Sequence, residues 1–192
     1  MGQIKVDYNV GGLEGLCVII PAVHGDKRGY FSETYNLRDM QEAGLNYNFV
    51  QDNQSSSVKG VLRGLHFQIN FPQTKLVRVI RGSVYDVAVD LRRDSKTYGK
   101  YFGLELSEDN HKQLLIPRNF AHGFLVLSEI AEFCYKCDDF YHPNDEGGIF
   151  YADPDININW PKIDCEIILS DKDKKQPLLR ELNLSQIKEL NS

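Results

Sequence analysis

Residues 75–90 read KLVRVIRGSVYDVAVD, and this stretch decides the fold class. On both sides of Arg81-Gly82-Ser83, β-branched and aromatic residues alternate with polar ones. Successive side chains of a strand point to opposite faces, so the alternation is that of half-buried strands. The glycine-centred break is short enough for a hairpin, and the stretch therefore predicts two paired strands.

Working outward, strand patterns recur at 101–106, 112–116, 123–127 and 132–136, separated by Gly, Pro, Asn and Asp at short intervals. Many short strands and few helical stretches predict an all-β chain, closed as a barrel or stacked as a sandwich. Helix signals lie only at the edges. Asn36 is suited to cap a short helix ending near Gly44, and Ser185 one running to Leu190. Residues 151–161, YADPDININWP, are polar with two prolines and predict an ordered loop over the barrel.

With 192 residues and 42% hydrophobic content, the chain can close one sizeable core. A single domain spanning 1–192 is expected, with an N-terminal strand region (about 1–50) and a C-terminal tail (about 162–192) packed on the barrel. Twenty-two Lys and Arg against 27 Asp and Glu give a net charge of -5, which supplies no global field for a polyanion. A phosphate-bearing ligand needs a local cluster of cations. Cys17, Cys134, Cys137 and Cys165 are widely spaced and no signal-like stretch follows the polar start, which predicts a reduced, cytoplasmic protein. Cys134 and Cys137 have half-site spacing, yet they fall in a strand pattern and no second Cys pair completes four ligands. No apolar run has the length of a bilayer span.

Alternation from Ala131 onward puts Ala131, Phe133, Tyr135 and Cys137 on one face and Glu132, Cys134 and Lys136 on the other. Tyr135 is therefore expected to point inward, as a core aromatic or as a proton donor. His66 follows Arg63-Gly64-Leu65, where the glycine lets backbone or ligand come close beside an ionisable ring. A buried histidine is commonly structural. Lys75, suited to neutralise an oxyanion, and a second imidazole, His122 in Asn119-Phe120-Ala121-His122-Gly123, give His66 the alternative of a base. Arg63, Lys75, Arg78 and Arg81 form either a phosphate-attracting cluster or a solvated face. In Leu169-Ser170-Asp171-Lys172-Asp173 the carboxylates fit a surface turn, or a group that orients an imidazole.

Six ordered blocks carry a family resemblance: Gly29-Tyr30-Phe31-Ser32-Glu33; Phe49-Val50-Gln51-Asp52-Asn53-Gln54-Ser55; Gly60-Val61-Leu62-Arg63-Gly64-Leu65-His66-Phe67-Gln68; Lys75-Leu76-Val77-Arg78-Val79; Pro117-Arg118-Asn119-Phe120-Ala121-His122-Gly123-Phe124; and Ala131-Glu132-Phe133-Cys134-Tyr135-Lys136. Over roughly residues 10–180 the chain resembles the dTDP-4-dehydrorhamnose 3,5-epimerase family of the cupin superfamily, which implies a cupin-type jelly-roll barrel with short peripheral helices. The resemblance implies a nucleotide-linked 4-keto-6-deoxyglucose as substrate, inverted at C3 and C5 without a redox cofactor. Both carbons flank the C4 ketone, so loss of either proton gives an enolate.

By motif, the resemblance implies His66 as base, Asp173 as its orienting carboxylate, Lys75 facing the oxyanion, and Tyr135 returning a proton from the opposite face. Arg63 and His122 are implied to line the pocket and hold the sugar and diphosphate. Arg28, Phe31, Glu33, Gln51, Asn53 and Tyr141 match positions that bind the nucleotide and diphosphate, the first three reaching across a dimer interface, so a homodimer is implied. The segment FQINFPQT departs from the family in lacking a glycine just before Lys75. Metal-binding cupins carry a His-x-His pair where this chain has His66-Phe67-Gln68, so no metal is expected there. Rival readings are an epimerase that inverts C3 alone or uses another nucleotide sugar, a cupin sugar ketoisomerase, and a sugar-binding barrel without catalysis.

Overall fold

The computed structural model describes residues 4–182; the helix expected from Ser185 to Leu190 lies outside the described residues. The described residues form thirteen strands: β1 (Ile4–Asp7), β2 (Cys17–Pro21), β3 (Val23–Asp26), β4 (Gly29–Ser32), β5 (Gln51–Val58), β6 (Leu62–Gln68), β7 (Lys75–Arg81), β8 (Ser83–Asp90), β9 (Tyr101–Ser107), β10 (Gln113–Ile116), β11 (Phe120–Val126), β12 (Ile130–Cys137) and β13 (Glu146–Gly148). They form a six-stranded sheet in the order β1-β2-β10-β7-β12-β5 and a five-stranded sheet in the order β13-β6-β11-β8-β9, with β3 and β4 as a separate two-stranded ribbon. All pairings between these strands are antiparallel. The two large sheets face each other in the jelly-roll arrangement of the cupins.

The core between the sheets is built from alternate positions on both. Val77 and Val79 of β7, Leu114 and Ile116 of β10 and Phe133 of β12 meet Val84 and Ala88 of β8, Leu106 of β9 and Phe124 of β11. Period-two alternation thus translates directly into one buried face per strand.

The expected hairpin at residues 81–83 is not formed. β7 lies between β10 and β12 in the six-stranded sheet, whereas β8 lies between β11 and β9 in the other. Gly82 is a corner at which the chain changes sheets. It has φ 74, and a Cβ there would fall 2.1 Å from the carbonyl oxygen of Ile130 and 2.3 Å from Ser128 Oγ. Alternation reports that each strand has an apolar face. It does not report whether the two faces lie side by side in one sheet or oppose each other across a core, and here they oppose.

Two outer layers complete the packing. Asn36 accepts from the backbone N–H groups of Arg38 and Asp39 and so caps α1 (Leu37–Glu42), the one α-helix among the described residues. Met40 of α1 and Leu45 beyond it cover Cys17, Ile19, Leu76 and Leu115 on the outside of the six-stranded sheet. On the other side, Ile149, Ile156 and Leu179 cover Leu65, Val87, Val89 and Ala121. Asp153, 1% exposed, fixes this cover by accepting from the N–H groups of Asp155, Ile156 and Leu179. Residues 151–161 hold no strand or helix and lie over the barrel, Trp160 packing edge-on against Tyr85 at 6.0 Å.

Candidate active site

The site begins with an irregularity in β6. Opposite β11, His66 pairs with His122 and Arg63 with Phe124, so three steps on β6 match two on β11. This is a bulge at Gly64-Leu65, and bulges re-aim side chains. In a regular strand, Arg63 and His66 would point to opposite faces. With the extra residue, both line one cavity of about 770 Å³. Only glycine fits the bulge: φ is 128 at Gly64, and a Cβ there would meet Gly123 Cα at 2.5 Å.

His66 Nε2 lies 2.5 Å from Oδ1 of Asp173, which is 3% exposed. Burial pushes the Asp173 carboxyl up, but hydrogen bonds from His66, Ser170 and the Gly64 N–H outweigh it and hold the group below its usual range. An ionised carboxylate only accepts, so Nε2 carries the hydrogen and the lone pair resides on Nδ1. That is the arrangement of an oriented general base. Asp173 is delivered by a 3-10 turn (Asp173–Lys175) on a segment tied to the barrel by the Val61–Ile168 bridge.

A second imidazole is held in the same way. His122 Nε2 sits 3.1 and 2.9 Å from the two oxygens of Asp86, which is wholly buried on β8. The ring stacks on Phe133 at 5.9 Å, and Phe133 stacks on Phe124 at 4.2 Å.

From the opposing sheet, β7 and β12 supply Lys75 and Tyr135, with the Lys75 ammonium 6.0 Å from the Tyr135 ring centre. Burial drives the Lys75 pKa below its usual range, opposed in part by Cys137, Asp86 and Glu146. No carboxylate lies within ion-pair distance of Lys75 among the described residues: Asp86 is taken by His122, and Glu146 by Lys172 and the Tyr141 hydroxyl. Burial raises the Tyr135 phenol, with Cys137, Tyr141 and Glu146 adding to the rise and Arg63 opposing it. The phenol therefore keeps its proton at neutral pH. Cys137 of β12, the cross-strand partner of Lys75 on β7, is pushed up to about 11, chiefly by burial, and is an uncharged thiol.

The family model of dTDP-4-dehydrorhamnose 3,5-epimerase matches residues 11–181. The chain belongs to this family. It is 54% identical over 170 residues to the dTDP-4-dehydrorhamnose 3,5-epimerase of Methanothermobacter thermautotrophicus, covering 88% of this chain and 92% of the relative. It is also 54% identical over 156 residues to the Pseudomonas aeruginosa protein of the same name, covering 81% and 86%. Among solved structures, dTDP-6-deoxy-D-glucose-3,5-epimerase RmlC from Legionella pneumophila Philadelphia 1, in complex with dTDP-4-keto-L-rhamnose, superposes with a TM-score of 0.93 at 42% identity. That match covers 99% of this chain and 100% of the other.

Within this epimerase-family chain, the main cavity gathers His66, Lys75, Tyr135, Asp173, Arg63 and His122. An adjoining cavity of about 230 Å³ shares Asn53, His66, Lys75 and Tyr135 and adds Gln51, Tyr141 and Glu146. A hydrogen-bond chain runs along its wall: the Tyr141 N–H donates to Gln51 Oε1 (3.0 Å), Gln51 Nε2 to Asn53 Oδ1 (3.0 Å) and Asn53 Nδ2 to Cys137 Sγ (3.8 Å).

Arg28, Phe31 and Glu33 are not brought to these cavities within one chain. Arg28 sits at the tip of the β3–β4 ribbon, bonded to Asp26, and Phe31 is 63% exposed. Glu33 accepts from Asn36 Nδ2 at 3.1 Å. Three groups are not singled out by the sequence: Asp86, which lies behind His122, and Glu146 and Lys172 on the cavity walls. Asp86 carries a signal, a lone carboxylate inside the apolar run of β8. Glu146 and Lys172, which form an ion pair across the cavity rim, carry none.

Among the described residues, no three His, Cys, Asp or Glu side chains are placed to hold a metal ion. No helix among them is long and apolar enough to cross a membrane.

Proposed function

We infer that this protein is a dTDP-4-dehydrorhamnose 3,5-epimerase that inverts C3 and C5 of dTDP-4-keto-6-deoxy-D-glucose to give dTDP-4-keto-L-rhamnose. The family membership supports the reaction, and the oriented His66–Asp173 pair facing Lys75 and Tyr135 across one cavity supports the mechanism.

In this reading, His66 Nδ1 removes the proton at C3 and then at C5, with Asp173 stabilising the imidazolium that forms. Negative charge moves to the C4 oxygen each time, and Lys75, half-buried and without a carboxylate at ion-pair distance among the described residues, neutralises it. Inversion needs the new proton on the other face, since one base returns it to the face it left. Tyr135 comes from the six-stranded sheet and His66 from the five-stranded one, so a sugar held between the sheets meets the acid and the base on opposite sides. Arg63 and His122 hold the sugar and diphosphate, while Gln51, Asn53 and Tyr141 bind toward the nucleotide. No metal or redox cofactor takes part.

The protein acts as a homodimer. The β3–β4 ribbon supports this: Val23, Tyr30 and Phe31 are exposed on it, and Arg28 and Phe31 lie outside the chain's own cavities. A second copy covering the ribbon would receive Arg28, Phe31 and Glu33 at its nucleotide end. Four unpaired cysteines, three of them buried, support a reduced cytoplasmic setting. Product stereochemistry by NMR tests the reaction. A product inverted at both carbons supports the double epimerase, one inverted at C3 alone supports the narrower reading, and unchanged substrate opposes both.

A further inference from the structure

The cations of this chain differ in what they are bonded to. Arg28, Arg81, Arg92 and Arg118 each meet a carboxylate, as do Lys59, Lys136 and Lys172. Arg63, which lines the main cavity, instead donates Nε–H and one terminal N–H to the hydroxyl of Ser57, at 3.1 and 3.0 Å. Ser57 lies on the edge strand β5, opposite Ala131, and is 7% exposed, so its hydroxyl is a fixed acceptor. Two bonds from one guanidinium edge to one oxygen set the plane of the group. They consume no charge. The other terminal nitrogen stays available, and a planar guanidinium that meets no carboxylate among the described residues is suited to an anion such as a diphosphate.

We propose that Ser57 is a positioning residue that orients Arg63 for the anionic diphosphate of the nucleotide sugar while leaving its charge intact. The idea deepens the nucleotide-sugar reading and rests on it for the identity of the ligand. An aspartate at this position would grip Arg63 more tightly and neutralise it. An alanine would leave the guanidinium free to swing through its rotamers, so that its ordering is added to the cost of binding.

Calorimetric titration with thymidine diphosphate tests this without relying on turnover. Losing one hydrogen bond to a charged group corresponds to about tenfold in affinity, so Ser57→Ala weakens binding by about that factor. Ser57→Thr, which keeps the hydroxyl, restores most of it, and Ser57→Asp weakens it further. With nucleotide 4-keto sugar, the alanine variant raises KM more than it lowers kcat. A purely structural serine predicts a lowered Tm with diphosphate affinity unchanged in all three variants, and that result overturns the proposal. Equal weakening by Ala and Thr overturns it as well. If the wild type binds thymidine diphosphate but turns over no sugar, the catalytic reading fails, while the affinities of the Ser57 variants still decide whether Ser57 positions Arg63.

Discussion

His66 and His122 are direct cross-strand partners on β6 and β11, and each imidazole is bound by its own buried carboxylate, Asp173 in one case and Asp86 in the other. Two neighbouring rings thereby have assigned tautomers. The difference lies in what each ring faces: His122 is 8% exposed and stacked on Phe133, whereas His66 borders both cavities.

Asp173→Asn removes the negative charge and can offer an N–H donor to Nε2, so the His66 tautomer is no longer fixed. Steady-state kinetics are expected to show kcat reduced roughly a thousandfold, the scale of losing a base-orienting carboxylate, with little change in KM. A rate close to that of wild type would assign Asp173 to structure alone.

Lys75 predicts the alkaline limb of the rate profile. Its pKa lies below the usual lysine range because of burial, whereas burial raises the Tyr135 phenol above its own. As pH rises through the Lys75 value, the oxyanion partner disappears and kcat falls. Lys75→Ala is expected to lower turnover about a hundredfold and to flatten that limb. An unchanged profile would return Lys75 to the charged surface.

Tyr135→Phe keeps the ring and removes the proton. Deuterium exchange at C3 continues in part, because the base is intact, while inversion at C5 is impaired. Full inversion at both carbons by this variant, measured by NMR, would exclude Tyr135 as the acid.

Asp90 gives a stability prediction away from the cavity. It is wholly buried on β8 and accepts from Arg92, Ser95 and Thr97. Burial pushes its pKa up, but these hydrogen bonds hold it below the usual carboxylate range. A depressed folded pKa contributes stability that is present above the unfolded value and is lost as pH falls through the folded one. Asp90→Asn is therefore expected to cost ~3 kcal/mol at neutral pH by denaturant unfolding, with the gap to wild type shrinking as acid protonates the folded carboxyl. A gap independent of pH would contradict the ionic account.

Much of the fold is legible from alternation. The inward face of Phe133 and Tyr135, the Asn36 cap and most strands follow from local periodicity. β5 does not, because its sequence QDNQSSSV lines the main cavity with Asn53 and Ser55 and so lacks an apolar stripe. The shared face of Arg63 and His66 is hidden for another reason: a bulge shifts the period by one, and nothing in a two-residue repeat announces it. Gly82 reads as a hairpin turn because a corner and a hairpin use the same residue type. The proposed catalytic and nucleotide-binding roles rest on the ordered motifs, not on composition.

The most direct test of the two-sided relay is incubation of wild type and His66→Ala with dTDP-4-keto-6-deoxyglucose in D2O, followed by NMR of the sugar. The mechanism predicts deuterium at both C3 and C5 with wild type and at neither carbon with His66→Ala. Wild-type labelling in the His66 variant would contradict it.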